Sequence, residues 1–290
     1  MVTPQEEMVA RIVSWCAARP DVRAVVLTGS LAQVGAHVDD MSDVDIEITF
    51  ADVTPELLTG DWWRAFGEVW TAYTLAPLPV WSVVYAGGTT VDMSVVDAGR
   101  IGEMVASGVL SPSWDCGYRV LLDRDGLTRG LPAPRGEWPD RGRLTSAEFR
   151  RLVDGFWFDG LRVPKYIARG QLWKAKSRDW VAKAHLLRLL EWHATIIGGF
   201  RVEDTGLGSD MPSWLAPELW AAVHGVFGRF DADDARRAFI ASLDLFWRVA
   251  GEVAAATGYG FPEPADRHLR ARAEHLLQRR PVAARPQARA

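Results

Sequence analysis

The stretch from Val25 to Phe50 constrains this chain more than any other part of the sequence. It opens with a short apolar run that stops abruptly at Thr28-Gly29-Ser30. The run predicts a buried strand, and the Gly-Ser pair predicts a tight turn at its end. Because glycine has no side chain, such a turn lets backbone N–H groups and a hydroxyl approach a phosphate closely.

The second half of the stretch alternates strictly between apolar and acidic side chains. The apolar set is Val44, Ile46 and Ile48, and the acidic set is Asp43, Asp45 and Glu47. Period-two alternation predicts a half-buried strand with one acidic face. Asp43 and Asp45 then lie side by side, close enough to bind the same divalent cations.

Each half of the stretch has an ordinary explanation when it is taken alone. Acidic residues at alternate strand positions usually form a solvated face, and a Gly-Ser pair is common. A phosphate-holding turn followed by paired carboxylates is, however, what metal-assisted nucleotidyl transfer requires. Together the two halves resemble the Gly-Ser…Asp-x-Asp signature of the polymerase-β-like nucleotidyltransferases.

A later strand supplies a further carboxylate. Apolar residues from Val91 to Val95 alternate with Asp92 and Ser94, after a hairpin turn at residues 86–89. Taken alone, Asp92 is more simply a solvated strand residue. The resemblance to the superfamily implies instead that it is the third metal ligand beside Asp43 and Asp45.

Composition excludes several classes of function. The 290 residues are 48% hydrophobic and 24% charged with a formal net charge of −4, so no global basic field indicates a nucleic-acid partner. No apolar segment reaches membrane-spanning length, and no charged leader precedes an apolar run. Cys16 and Cys116 form neither a metal cluster nor a disulfide framework. We expect a cytoplasmic protein, either a monomer or a homodimer.

The pattern along the chain predicts an α+β protein with two domains. A small mixed β-sheet domain with flanking helices covers residues 1–130, including a short helix after Ser30 and a partly helical segment from Pro55 to Tyr73. Prolines without periodicity mark a linker at 131–143. Helical spacing then predicts a bundle at 144–278, and the Arg- and Pro-rich residues 279–290 are predicted to be a disordered tail. The acceptor is expected to bind in the cleft between the domains.

Landmarks in the second half narrow the resemblance to one family. The chain resembles the aminoglycoside 6-adenylyltransferases, also called streptomycin adenylyltransferases, over nearly its whole length. The segments that carry this resemblance are Phe156-Trp157-Phe158, Lys165-Tyr166-Ile167-Ala168-Arg169-Gly170, Leu189-Leu190-Glu191-Trp192-His193 and Gly258-Tyr259-Gly260-Phe261-Pro262. One departure stands out, because Leu31 follows Ser30 where the family typically has an arginine.

The resemblance implies transfer of AMP from ATP to a hydroxyl of a cationic aminoglycoside such as streptomycin, with release of pyrophosphate. Mg²⁺ would be held by Asp43, Asp45 and Asp92, and the nucleotide by Gly29, Ser30 and Lys183. Residues that would contact the acceptor are Trp157, Asp159 and Glu191, with Glu47 as a further acid. Two alternatives stay open: a nucleotidyltransferase with another small-molecule or protein acceptor, and a nucleotide-binding module without catalysis.

Overall fold

The structure is a computed structural model that describes residues 2–74, 79–136, 144–200, 207–261 and 263–279, with the side chains of 263–265 left out. It forms two compact units, Met1–Pro139 and Asp140–Ala290. The predicted linker at 131–143 spans this division, and its residues 137–143 lie outside the described ranges, as does the predicted tail from 280 onward. In the described ranges every helix is too short or too polar to cross a membrane.

The first unit contains six strands and four α-helices among its described residues. The strands are β1 (Val22–Thr28), β2 (Val44–Phe50), β3 (Val69–Thr74), β4 (Val80–Tyr85), β5 (Thr90–Asp97) and β6 (Arg119–Asp123). The helices are α1 (Pro4–Ala17), α2 (Pro55–Thr59), α3 (Ala98–Ser107) and α4 (Pro112–Cys116), with a 3₁₀ helix at Trp62–Phe66.

The six strands form one sheet in the order β3-β4-β5-β2-β1-β6. β2 and β5 run parallel, whereas the neighbouring pairs are antiparallel. The predicted mixed sheet with flanking helices is therefore confirmed. The sheet places the N-terminal ends of β2 and β5 next to the C-terminal end of β1, where the Gly-Ser turn begins.

Two apolar clusters cover opposite faces of the central strands. Val44, Ile46 and Ile48 of β2 are buried on one face, together with Ile12 of α1. Trp114 of α4 and the buried residues of α3 pack against β1 on the other face. β2 is therefore covered on both sides and is not half-buried as predicted, and its acidic face is open only near Asp45.

One local expectation about this unit is wrong. Residues 30–35 form turns and not a short helix. The segment from Pro55 to Tyr73 is helical in part as expected, in α2 and the 3₁₀ helix, while Trp70 and Tyr73 lie on β3. β3 is an edge strand that pairs with β4, and every one of its residues from Trp70 onward is exposed. Its side chains therefore carry no period-two burial pattern that could have indicated a strand.

The described residues of the second unit form helices and their connections. The helices are α5 (Ser146–Gly160), α6 (Arg162–Ala168), α7 (Leu172–Ile196), α8 (Met211–Trp214), α9 (Pro217–Val226), α10 (Ala232–Thr257) and α11 (Glu263–Leu277). α7 contacts α5, α6 and α10, and α11 contacts α6. One apolar cluster fills this unit, and Phe156 of α5 stacks on Phe246 of α10 with ring centroids 3.6 Å apart.

Candidate active site

The register of the sheet brings three chain segments to one point. Asp45 of β2 lies opposite Asp92 of β5 on one side and opposite Thr28 of β1 on the other. Gly29 follows Thr28 directly, so the turn begins beside the Asp45 carboxylate. Asp43 lies just before β2 and is exposed, whereas Asp45 and Asp92 are half-buried. The residues predicted to hold the metal and those predicted to hold the phosphates are thus next to one another.

Gly29 is required where it stands. Its φ of 65° lies in the left-handed region, which L side chains rarely adopt. A Cβ at this position would lie 1.9 Å from Oδ2 of Asp45. The Asp45 carboxylate therefore packs directly against the backbone of the turn, and no other residue type fits there without moving it.

The turn after Gly29 is closed by backbone hydrogen bonds. Ala32 N and Gln33 N both donate to the Gly29 carbonyl oxygen at 3.1 Å. These bonds do not use the N–H groups of Ser30 and Leu31. Ser30 is half-buried, and its hydroxyl makes no hydrogen bond with the described part of the chain. The turn thus offers donors of the kind that hold a phosphate.

The three aspartates interact through their charges. Burial, followed by the negative charges of Asp92 and Asp43, raises the pKa of Asp45 from its usual 3.8 to about 6. Oδ1 of Asp92 is buried and has no hydrogen-bond partner among the described residues. Like charges held together with an unpartnered oxygen are costly unless a cation neutralises them.

This donor set fits Mg²⁺, because hard divalent cations prefer carboxylate oxygens. Across the described residues, however, no three histidine, cysteine, aspartate or glutamate side chains already form a metal-holding group. The aspartates therefore provide oxygen ligands that suit a metal, but the described residues do not form a complete coordination shell.

Glu47 lies two residues further along the acidic face and is only 8% exposed. Burial raises its pKa, while Arg100 and the Trp114 indole lower it. Nη1 of Arg100 on α3 lies 3.6 Å from Oε2 of Glu47. Because residues of α3 and α4 pack around this carboxylate, Glu47 belongs to the interior of the first unit, and its predicted acceptor contact stays a prediction.

A side chain that the sequence analysis missed supports the segment before Asp43. Gln5 of α1 is 5% exposed, and its Nε2 donates to the carbonyl oxygens of Asp39, Asp40 and Ser42, each at 3.2 Å. This amide fixes the loop that leads into Asp43. No motif marks Gln5, because its role depends on a loop more than thirty residues away in the chain.

Asp159 and Glu191, predicted to contact the acceptor, have cationic partners within the second unit. Oδ1 of Asp159 lies 2.8 Å from Nη1 of Arg162 and 3.5 Å from Nη1 of Arg178. Oε2 of Glu191 lies 3.5 Å from Nη1 of Arg188. Their charges are therefore already compensated, which weakens the attraction that either exerts on a cationic ligand.

Trp157 and Lys183 are both buried. The Trp157 ring is 5% exposed, and its indole N–H donates to Oδ1 of Asp266. Lys183, predicted to bind the nucleotide, is 7% exposed, and its Nζ lies 2.5 Å from Oδ2 of Asp179. Burial lowers the pKa of Lys183, and the Asp179 charge opposes that change. In this structure both side chains belong to the interior of the second unit, and their predicted ligand contacts stay predictions.

The comparison with known families settles the class of protein. The family model for streptomycin adenylyltransferase matches residues 2–276 of this chain. The chain belongs to the streptomycin adenylyltransferase family. It is therefore a nucleotidyltransferase enzyme of the aminoglycoside adenylyltransferase class, and adenylyltransferases of this kind use ATP as the co-substrate. The resemblance stated from the sequence is confirmed.

The individual members and structures that this chain matches have low sequence identity to it. The aminoglycoside 6-adenylyltransferase of Bacillus subtilis (strain 168) is 20% identical over 261 residues, which cover 83% of this chain and 87% of that protein. A crystal structure of an aminoglycoside 6-adenyltransferase from Bacillus subtilis aligns with a TM-score of 0.46 at 18% identity, covering 96% of this chain and 100% of that one. A nucleotidyltransferase-like protein from Exiguobacterium sibiricum 255-15 aligns with a TM-score of 0.33 at 13% identity, covering 87% and 77%.

Proposed function

We propose that this protein transfers AMP from ATP to a hydroxyl of an aminoglycoside, with streptomycin as the acceptor, and releases pyrophosphate. The reaction inactivates the antibiotic. The observation that carries the proposal is the paired register of Asp45 and Asp92 beside the Gly29 turn. Phosphoryl-type transfer needs positioning and charge stabilisation, and this point of the sheet offers groups for both.

Asp43, Asp45 and Asp92 are proposed to hold Mg²⁺. When bound, the metal would neutralise the triphosphate and lower the pKa of the attacking hydroxyl. The raised pKa of Asp45 supports this role, since burial and, after it, the negative charges of Asp92 and Asp43 disfavour its carboxylate when no cation is bound. Asp92, with its buried unpartnered oxygen, is supported as a ligand by the same reasoning.

Gly29 and Ser30 are proposed to bind the triphosphate. Three hydrogen-bond donors lie close to the three acids: the N–H groups of Ser30 and Leu31 and the Ser30 hydroxyl. Hydrogen bonds from these donors would orient a phosphate chain for in-line attack. Leu31 lacks the charge of the family's arginine, so triphosphate binding is either weaker or supported by Arg169, Lys174 or Lys183 in its place. Lys183 is the side chain predicted for that role.

The Ser30 assignment has a direct kinetic test. Ser30→Ala should raise the Michaelis constant for ATP, because a hydrogen bond to a charged phosphate contributes roughly 1.5–3 kcal/mol. Steady-state pyrophosphate release at varied ATP measures the change. Ser113→Ala, in the same unit but outside the turn, is the control. Unchanged ATP kinetics in Ser30→Ala would assign the hydroxyl a purely structural role.

The acceptor assignment rests on charge. A guanidino-sugar such as streptomycin is cationic at neutral pH, and the protein carries a formal net charge of −4. Trp157, Asp159 and Glu191 stay the predicted acceptor contacts. Attraction of a cation by the protein's net negative charge is screened beyond ~8 Å at physiological ionic strength, so the apparent affinity for the acceptor should fall as salt rises.

Mass spectrometry of an acceptor panel tests the function. Streptomycin incubated with the protein, ATP and Mg²⁺ should gain one AMP, and the reaction should release pyrophosphate. If another aminoglycoside or a protein is modified instead, nucleotidyl transfer is supported, and the assignment of streptomycin as the acceptor is wrong. If ATP binds but no acceptor in the panel is modified and no pyrophosphate appears, the non-catalytic alternative is favoured.

A further inference from the structure

A basic pocket of about 510 Å³ lies in the second unit, between α6 and α11. Its walls combine apolar side chains such as Leu161 and Leu276 with four cationic side chains. The cationic residues are Lys165, Arg169, Arg272 and Arg279. The volume falls within the range of about 300–1,000 Å³ that is usual for small-molecule sites. We call this site the α6–α11 pocket.

The four cations of the α6–α11 pocket lack the partners that other arginines of this unit have. Arg270 of α11, for example, is ion-paired with both Asp244 and Glu274. None of the four pocket cations makes an ion pair with a described residue, and no acid is among the residues that line the pocket. Residues 280–290, which follow Arg279, contain no aspartate or glutamate. Within the described part of the chain, no acid therefore neutralises the positive charge of the pocket.

Helix ends account for three of the four charges. Arg169 lies at the C-terminal cap of α6, and Arg279 lies two residues beyond the end of α11. A cation there stabilises the partial negative charge of the helix C-terminus. Lys165 also lies in the last turn of α6, whereas Arg272 lies in the middle of α11 and is not explained by a helix dipole. The convergence of all four charges on one pocket that no acid lines is what indicates a ligand.

We propose that the α6–α11 pocket binds a compact polyphosphate, of the chemistry found in inorganic triphosphate or in the phosphate chain of a nucleoside triphosphate. Four cations within a single pocket match several negative charges held on a short chain better than one isolated phosphate. The described lining contains no aromatic ring, whereas single-stranded nucleic acid is bound along grooves with stacking platforms. The assignment does not depend on the metal-binding aspartates.

Calorimetric titration of the full-length protein tests the proposal. Inorganic triphosphate is added in EDTA, so that no Mg²⁺ is available to the aspartates, and ATP is added in a second arm to show whether a nucleoside contributes. We expect binding of triphosphate that weakens with salt. Lys165→Gln/Arg272→Gln should weaken it by roughly tenfold or more, because two charge-assisted contacts are lost.

The control carries the same change in charge outside the pocket. Arg151→Gln/Arg267→Gln removes two exposed arginines of α5 and α11 that do not line it, and should leave the affinity unchanged. Equal weakening in both double variants would show a diffuse charge effect and overturn the proposal. So would the absence of triphosphate binding, or unchanged binding in Lys165→Gln/Arg272→Gln. ATP-dependent pyrophosphate release with Mg²⁺ tests the proposed function separately, so the failure of one does not imply the failure of the other.

Discussion

Asp45 and Asp92 occupy paired positions on two parallel strands, β2 and β5, with Thr28 of β1 opposite Asp45 on its other side. The two acids are separated by 46 positions in the chain, yet the hydrogen-bond register alone makes them neighbours. A shift of one residue would move each acid to the opposite face of the sheet. The apolar residues Val44 and Val91, buried on the other face, therefore fix the register that pairs the acids.

Gly29 is predicted to be needed for the placement of Asp45. Gly29→Ala should cost about 1–2 kcal/mol of stability through its left-handed backbone, and should lower turnover by roughly 100-fold because its Cβ displaces the carboxylate. Gly35→Ala is the matched control, since Gly35 has a φ of 81° but nothing within 4 Å of an added Cβ. Thermal unfolding and turnover measured for both variants separate strain from displacement. Equal loss of turnover in the two would contradict the close packing of Gly29 against Asp45.

Gln5 is predicted to position Asp43 from a distance. Gln5→Leu keeps the bulk of the side chain but removes the donor to three carbonyl groups, which should cost about 1–3 kcal/mol of stability. The Mg²⁺ concentration for half-maximal activity should rise as well, because Asp43 follows the loop that Gln5 holds. Glu7→Gln, on the same helix and in an exposed 3.6 Å pair with Arg11, should change neither. A loss of stability with unaltered Mg²⁺ dependence would limit Gln5 to a structural role.

Asp266 is predicted to make the second unit less stable as pH rises. Burial raises its pKa from 3.8 to about 6, although the Trp157 N–H and Arg270 oppose this. The folded state binds the Asp266 proton more tightly than the unfolded state does. Protonation of Asp266 therefore stabilises the fold fully below about pH 4, and this stabilisation is lost as pH rises through 6. Urea midpoints between pH 4 and 7 should therefore fall less steeply for Asp266→Asn than for the unsubstituted protein. Asp244→Asn, an exposed acid paired with Arg270, is the control, and identical slopes in all three proteins would refute the assignment.

The sequence was sufficient to predict the centre of the sheet. Val25–Leu27, Val44–Ile48 and Val91–Val95 are apolar or alternate with period two, and that pattern survives because these strands form the buried middle of the fold. Which strands pair is not encoded in that pattern, and only the resemblance to the superfamily implied in advance that Asp92 lies with Asp43 and Asp45. The edge strand β3 could not be predicted, since its exposed side chains leave its conformation to the pairing with β4.

Long-range contacts limit what the sequence reveals about the remainder. Glu47 looks like a surface acid until α3 and α4 cover it, and Gln5 looks like an ordinary helix residue until the loop at 39–42 reaches it. The α6–α11 pocket joins segments about a hundred residues apart in the chain. Each of these features depends on which elements pack together, and no local periodicity encodes that choice.

The central claim is that the paired aspartates support nucleotidyl transfer, and the rate of pyrophosphate release by Asp45→Asn tests it most directly. The variant should retain the far-ultraviolet circular dichroism of the unsubstituted protein. Its turnover with ATP, Mg²⁺ and streptomycin should fall at least about 100-fold, because charge stabilisation by a bound metal contributes several kcal/mol. Asp52→Asn, an exposed acid just beyond β2, should keep full activity. A folded Asp45→Asn protein that releases pyrophosphate at nearly the original rate would contradict the account.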